Sequence, residues 1–280
     1  MSLGSPRILD SAGTGYSGEC TNVPFDLLWE ISQKAGTPIV QSGTNNVTYT
    51  LNLGVNRKFK AFLGQEFVKL SDAESYTWAA GANNEILNSS GVVTADQSPA
   101  TGIWYYYLGN TATGTVVIRP SQTAPSHGPG GDGTESGYYT HPGTSKTNAW
   151  IYVGFALCTA TTPAFASFTK IGKTYNFANS VLTVATAGTS FATALWTGAK
   201  ALPAHEGIKV AGDLETGATA GNAAHVAATS GGLGEQRCQT SAAVLARGTF
   251  GPIAITDGEL YYKHTGAAGD IFVTSIEDVV

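Results

Sequence analysis

Trp150-Ile-Tyr-Val-Gly-Phe-Ala-Leu157 decides how this chain is read. The run is apolar or aromatic throughout apart from one glycine, and it stops at Cys-Thr-Ala-Thr-Thr-Pro163, so it has the length of a buried strand and not of a helix. The same pattern repeats on either side. Upstream, Val47-Thr-Tyr-Thr-Leu-Asn-Leu53 alternates and places Val47, Tyr49, Leu51 and Leu53 on one face. Further strands are expected at 58–63, 66–70, Ile103-Trp-Tyr-Tyr-Tyr-Leu108 and 116–119. Downstream they are expected at 164–168, 174–177, 181–184, 191–196, 207–210, 223–229, 241–245, 253–255, 259–263 and 270–276. So many short segments broken by Gly, Asn and Pro suit a sandwich or barrel. Heptads and exact repeats are absent, which disfavours coiled coils and solenoids.

The fold class expected is therefore all-β: two β-sandwich, jelly-roll-like domains with an extended N-terminal arm and one short helix. Residues 1–20 mix Gly, Ser, Pro and Thr without periodicity and read as the arm. The helix is expected over 24–35: Asn22 is a cap, Pro24 suits a first turn, Phe25, Leu28, Trp29 and Ser32 share a face, and Gly36 stops it. Segment 120–147 is the densest Gly/Pro/Ser stretch and reads as a loop or linker. The expected division is thus 1–45 for attachment, 46–119 as an N-terminal β domain, 120–147 as linker and 148–280 as a C-terminal sandwich. Near the end, Ile255-Thr-Asp-Gly-Glu-Leu-Tyr-Tyr262 contains Asp257-Gly258, the pair that supplies positive φ for a type I′ hairpin turn.

Charged residues make up 12% of the 280, about half of ordinary usage, and Gly, Ala, Thr, Ser and Asn fill the deficit. The surface must then be polar but mostly uncharged, and small hydroxyl and amide side chains lose little rotamer entropy when a neighbour covers them. The net charge of −5, with Lys and Arg scattered, carries no footprint for nucleic acid. No stretch approaches 18 apolar residues, and the start lacks a basic segment followed by an apolar one, so neither a membrane span nor a signal peptide is expected. Cys20, Cys158 and Cys238 lie far apart without C-x-x-C spacing; they form one bridge and a spare thiol, or stay free as small buried hydrophobes.

No motif for catalysis stands out. His127, His141, His205, His225 and His264 form none of the spacings that hold a metal, although His127 and His141 flank the glycine-rich segment with Asp132 and Glu135 between them. G-x-S-x-G and the phosphate-cradling glycine loops are missing, and Gly188-Thr-Ser-Phe-Ala192 sits among strands rather than at a helix start. Carboxylates cluster at Glu66, Asp72 and Glu74 and at Glu206, Asp213 and Glu215, where they fit strand ends and turns as well as an acid pair. No cofactor, no metal and no enzymatic activity are expected. The aromatics carry more weight: Trp104, Tyr106, Tyr138, Tyr139 and Tyr261, with His141, form the candidate binding surface, since a ring combines apolar area with a polar tip. The competing reading puts one row of these rings in the core and the other under a sister strand or subunit.

Gly91-Val-Val-Thr-Ala-Asp-Gln-Ser-Pro-Ala-Thr-Gly-Ile-Trp-Tyr-Tyr-Tyr-Leu-Gly109 is followed by Gly137-Tyr-Tyr-Thr140, Trp150-Ile-Tyr-Val-Gly-Phe-Ala-Leu-Cys-Thr159, Phe168-Thr-Lys-Ile-Gly-Lys-Thr-Tyr175 and Ala201-Leu-Pro-Ala204. This order, over roughly 90–205, resembles structural appendage proteins of tailed-bacteriophage virions. The resemblance implies a β-sandwich capsid decoration, head fibre, tail-fibre tip or collar component, usually oligomeric, and brings no catalytic residues. The expectation is a virion structural protein made in the host cytoplasm, self-associating with a trimer favoured. It would dock on other virion proteins through 1–45 and contact a host-surface glycan. The alternative is a secreted carbohydrate-binding module or glycan-active enzyme.

Overall fold

The computed structural model describes residues 39–42, 48–51, 58–59, 68–69, 74–79, 84–110, 116–127, 139–143, 150–160, 164–177, 182–183, 192–194, 202–265 and 269–279. The two most apolar runs of the chain find each other. Strand Ile151–Ala160 lies antiparallel to Gly102–Asn110, with Ile151 opposite Leu108 and Cys158 opposite Gly102. Pairing them satisfies their backbone amides and carbonyls in a ladder, which a run with no polar face requires. Val116–Ser121 continues this first sheet on one side, and Tyr139–Thr140 then Ser126–His127 on the other, with Ala164–Phe165 also on Ile151–Ala160.

A second sheet runs in the order Phe168–Ile171, Thr174–Phe177, Asp270–Glu277, Lys209–Glu215, Arg247–Ala254, with Leu182–Thr183 also against Asp270–Glu277. A third runs Ala192–Ala194, Leu260–Thr265, Ala223–Ala227, Gln236–Gln239. Smaller ladders join Ile39–Ser42, Thr48–Leu51 and Glu74–Thr77; Lys58–Phe59 and Val68–Lys69; and Asn84–Leu87 and Val93–Gln97. Every pairing is antiparallel, and among the described residues there is no helix, so the all-β expectation holds. The helix expected over 24–35, the arm over 1–20 and Cys20 lie outside the described residues. Cys158 is buried and Cys238 half-buried.

Four of the expected segments are described by the structure. Segment 120–147 does not part the described strands: those before and after it share the first sheet, and Ser126–His127 and Tyr139–Thr140 within it are strands of that sheet. Ile39–Ser42, expected in the attachment region, is a strand paired with Thr48–Leu51. Residues 241–245 form a loop, because the buried Thr240 hydroxyl takes the place of a ladder, donating to the carbonyls of Ala242 (2.8 Å) and Val244 (2.9 Å). At the Asp257-Gly258 turn both φ angles are positive, 58° and 72°, and Glu259 N–H reaches the Thr256 carbonyl. The flanking strands, however, belong to different sheets, so the turn hands the chain from the second sheet to the third.

One core runs through all three sheets, from Trp78 and Leu87 to Val273 and Ile276. First and second sheets meet where the Phe155 ring lies 4.2 Å from that of Tyr175, whose hydroxyl oxygen accepts the Phe155 N–H at 3.3 Å. Truncating a buried ring such as Phe155 to alanine costs about 3–5 kcal/mol.

Candidate functional site

The Gly102–Asn110 strand sends its rings alternately to two faces, and both faces are covered. On one, Trp104 and Tyr106 meet Trp78: the two indoles lie 4.8 Å apart, and Trp78 Nε1 donates to the Tyr106 hydroxyl at 2.9 Å. Trp104 Nε1 donates to the Ala100 carbonyl. Trp104 and Tyr106 are therefore core residues and offer no platform, which corrects their place in the candidate surface. The reason is that Trp78 supplies, from elsewhere in the chain, both the apolar face and the donor that these rings need. His141 is also buried, its Nε2 3.2 Å from Ser121 Oγ and its Nδ1 accepting the Gly143 N–H; burial lowers its imidazole to about 4. Tyr138 lies outside the described residues.

On the other face, Tyr105, Tyr139 and Tyr152 surround His205, with ring centroids 5.7, 5.8 and 5.0 Å away. His205 Nε2 lies 2.9 Å from Asp278 Oδ1, and Tyr152 donates to Asp278 Oδ2 at 2.8 Å. The Val279 N–H donates to Asp278 Oδ1 at 2.6 Å. Burial alone raises this carboxyl, but the hydrogen bond and charge of His205, with Lys170 and Tyr152, outweigh it and hold Asp278 below its ordinary value. An aspartate orienting a histidine is half of a proton-transfer device. Here both side chains are wholly buried, and His205 Nδ1 has no hydrogen-bond partner, so the arrangement ties the first sheet to the chain's last residues. Tyr139 is half-buried beside it, with its hydroxyl towards the Glu206 carbonyl.

Tyr261 is half-buried and stands on the face of the third sheet turned away from the core. In the third sheet, Ala224 and Val226 join the core, with Cys238 and Tyr262 packed against it, so Ala223, His225 and Ala227 point the other way. The register sets Lys263 and Arg237 on either side of His225, and Tyr261 opposite Ala227 one row along. Glu235 Oε1 lies 2.5 Å from His225 Nδ1 and 3.5 Å from Lys263 Nζ. The bond from His225, with the charges of His225 and Lys263, lowers the Glu235 carboxyl. The residues singled out in the sequence include Tyr261 but not Glu235, Arg237 or Lys263 as binding candidates.

Few of the exposed described residues carry charge: Glu85, Glu206, Glu235, Arg237, Arg247 and Asp257, besides the half-exposed pair Lys209 and Glu277. Among the described residues no group of His, Cys, Asp and Glu is placed to hold a metal, and no helix is long and apolar enough to cross a membrane. Fold and site together define an antiparallel all-β protein whose described residues expose few charges and align Lys263, His225 and Arg237 in one row of the third sheet. No protein-family model matches the chain, and no curated protein matches it either.

Proposed function

We propose that this chain is a structural protein of a tailed-bacteriophage virion, a β-sandwich decoration or fibre module that acts by self-association and docking and not by catalysis. The observation that carries the reading is the surface. Exposed Ala, Ser, Thr, Gly and Asn dominate, and only a handful of exposed charges interrupt them. A second copy covers such a surface without desolvating ions, each of which costs several kcal/mol when buried unpaired. The buried His205–Asp278–Tyr152 group supports the same reading, because its polar atoms are committed to tying elements together. The resemblance over 90–205 supplies the setting, an oligomeric virion appendage, and the proposal adds two jelly-roll-like units, attachment through 1–45, a trimer and assembly in the host cytoplasm.

The test is light scattering on the purified chain, followed by mixing it with phage particles that lack it. A mass of several chains and recovery with the particles is the expected result. A stable monomer that joins no particle overturns the reading.

A further inference from the structure

The face of the third sheet turned away from the core carries three basic side chains in one row. Lys263, His225 and Arg237 stand side by side on three adjacent strands, with Cβ atoms about 5 Å apart between neighbours. Only 15 Lys and Arg occur in 280 residues of net charge −5, so two of them in one row with a histidine is a concentration of positive charge. Like charges directly opposite one another destabilise a sheet unless an anion lies between them.

In this chain that anion is Glu235. Its carboxylate reaches His225 Nδ1 at 2.5 Å and Lys263 Nζ at 3.5 Å. Its side chain is 35% exposed, so solvent reaches it. It arrives from the segment Gly231-Gly232-Leu233-Gly234, in which Gly232 and Gly234 have φ of 83° and 69°. Nothing packs where a Gly234 side chain would be, and Leu233 is 71% exposed. The seat under Glu235 is only partly used. The His225 side chain is 7% exposed, yet its Nε2 is buried without a hydrogen-bond partner. Arg237, exposed on the edge strand Gln236–Gln239, has no ion-pair partner among the described residues.

We propose that this row is the binding site for a carboxylate-bearing sugar, and that Glu235 occupies the carboxylate position until the sugar displaces it. The sugar's carboxylate would take the places of the Glu235 oxygens on His225 and Lys263 and gain Arg237, whose planar fork matches a carboxylate. Tyr261 selects a sugar over a bare anion. It lies on the same face, separated from the Glu235 position by the small Ala227, and its half-buried ring presents apolar area while its hydroxyl bonds the Glu259 carboxylate. The site goes beyond assembly: a chain that assembles and joins particles but fails the test below refutes the site and leaves the assembly reading standing.

The test is a titration of the whole chain with glucuronate, followed by calorimetry or NMR, with glucose, sulfate and a glutamate-rich peptide as parallel probes. Glucuronate is expected to bind more tightly than glucose. Glu235→Gln should tighten glucuronate binding, because it removes the internal competitor. Arg237→Gln should weaken it about tenfold or more, and Tyr261→Ala should reduce the preference for glucuronate over sulfate. Thermal melts matching the wild type establish that the variants fold, and Arg237→Lys, which keeps the charge without the fork, replaces Arg237→Gln if that variant does not. Equal binding of glucose and glucuronate in wild type and Glu235→Gln alike overturns the proposal. So does weaker glucuronate binding by Glu235→Gln, or a peptide or sulfate that binds as tightly as glucuronate.

Discussion

Replacing Asp278 by alanine removes the acceptor for two buried donors and one part-buried donor at once. Tyr152 loses a partner at 2.8 Å, His205 one at 2.9 Å, and the Val279 N–H one at 2.6 Å. The first two sit where water does not reach, because the Asp278 and His205 side chains are wholly buried and Tyr152 is in the core, and the third is part-buried. Breaking a buried, hydrogen-bonded charged group costs about 3–5 kcal/mol, which agrees with three unsatisfied groups at roughly 1–2 kcal/mol each. At about 2–4 °C per kcal/mol for a protein of this size class, the melting temperature should fall by roughly 6–20 °C. Asp278→Asn keeps the shape and one acceptor oxygen, so its loss should be smaller. The pH dependence has a definite sign. The folded carboxyl is held below its ordinary value, so its contribution is complete above that value and is lost as pH falls through the folded one. The gap between wild type and Asp278→Ala is therefore full near neutral pH and closes in strong acid. Thermal melts followed by circular dichroism at both pH values measure it. A near-neutral melting temperature for Asp278→Ala within about 2 °C of wild type would refute the reasoning.

The other predictions probe separate parts of the molecule. His141 is held neutral, with its imidazole lowered by burial from 6.5 to about 4, so the unfolded chain takes up the proton first and stability should fall as pH drops through that window. Urea midpoints should show the fall in wild type and a flatter profile in His141→Gln. Lys170 Nζ is buried without a hydrogen-bond partner, 5.0 Å from the Tyr175 ring, and burial lowers it from 10.5 to about 8. Its unfolded state binds more protons between those values, so stability should rise with pH there, and Lys170→Met should melt higher than wild type near neutral pH. Gly212→Ala should cost at least about 1–3 kcal/mol by chemical denaturation, because the added Cβ would stand 1.8 Å from the Phe272 carbonyl oxygen at a shift in strand register. Trp104→Ala should lower stability by about 3–5 kcal/mol and leave glucuronate binding unchanged wherever the variant stays folded, since its ring packs on Trp78 and not on the third sheet.

What a sequence makes legible here is local. Alternation with a period of two located many of the strands but not Ile39–Ser42, Glu74–Thr77, Asn84–Leu87, Val93–Gln97 or Gln236–Gln239, and Asp257-Gly258 announced a turn whose two positive φ angles the structure shows. Neither reveals which strands pair, so the turn read as a hairpin in one sheet although its flanking strands enter two. Ala242-Ala-Val-Leu245 has strand composition, but the Thr240 hydroxyl two positions before its start bonds the Ala242 and Val244 carbonyls that a neighbour strand would otherwise take. Trp104-Tyr-Tyr-Tyr107 plainly sends rings both ways, yet only the fold brings Trp78 to one side and His205 to the other.

The cationic row was hidden for the same reason. Arg237, His225 and Lys263 are distant in sequence and scattered in any count of charge, and only the register of three strands aligns them. That alignment gives the two proposed roles different surfaces. Neutral faces of Ala, Ser and Thr meet identical neighbours without the cost of desolvating ions. The row, with Glu235 seated on it, concentrates in one place the positive charge that a binding partner bearing a carboxylate needs. Arg237→Gln should accordingly change what the chain binds and leave unchanged how many copies assemble, an outcome that a single shared surface does not allow.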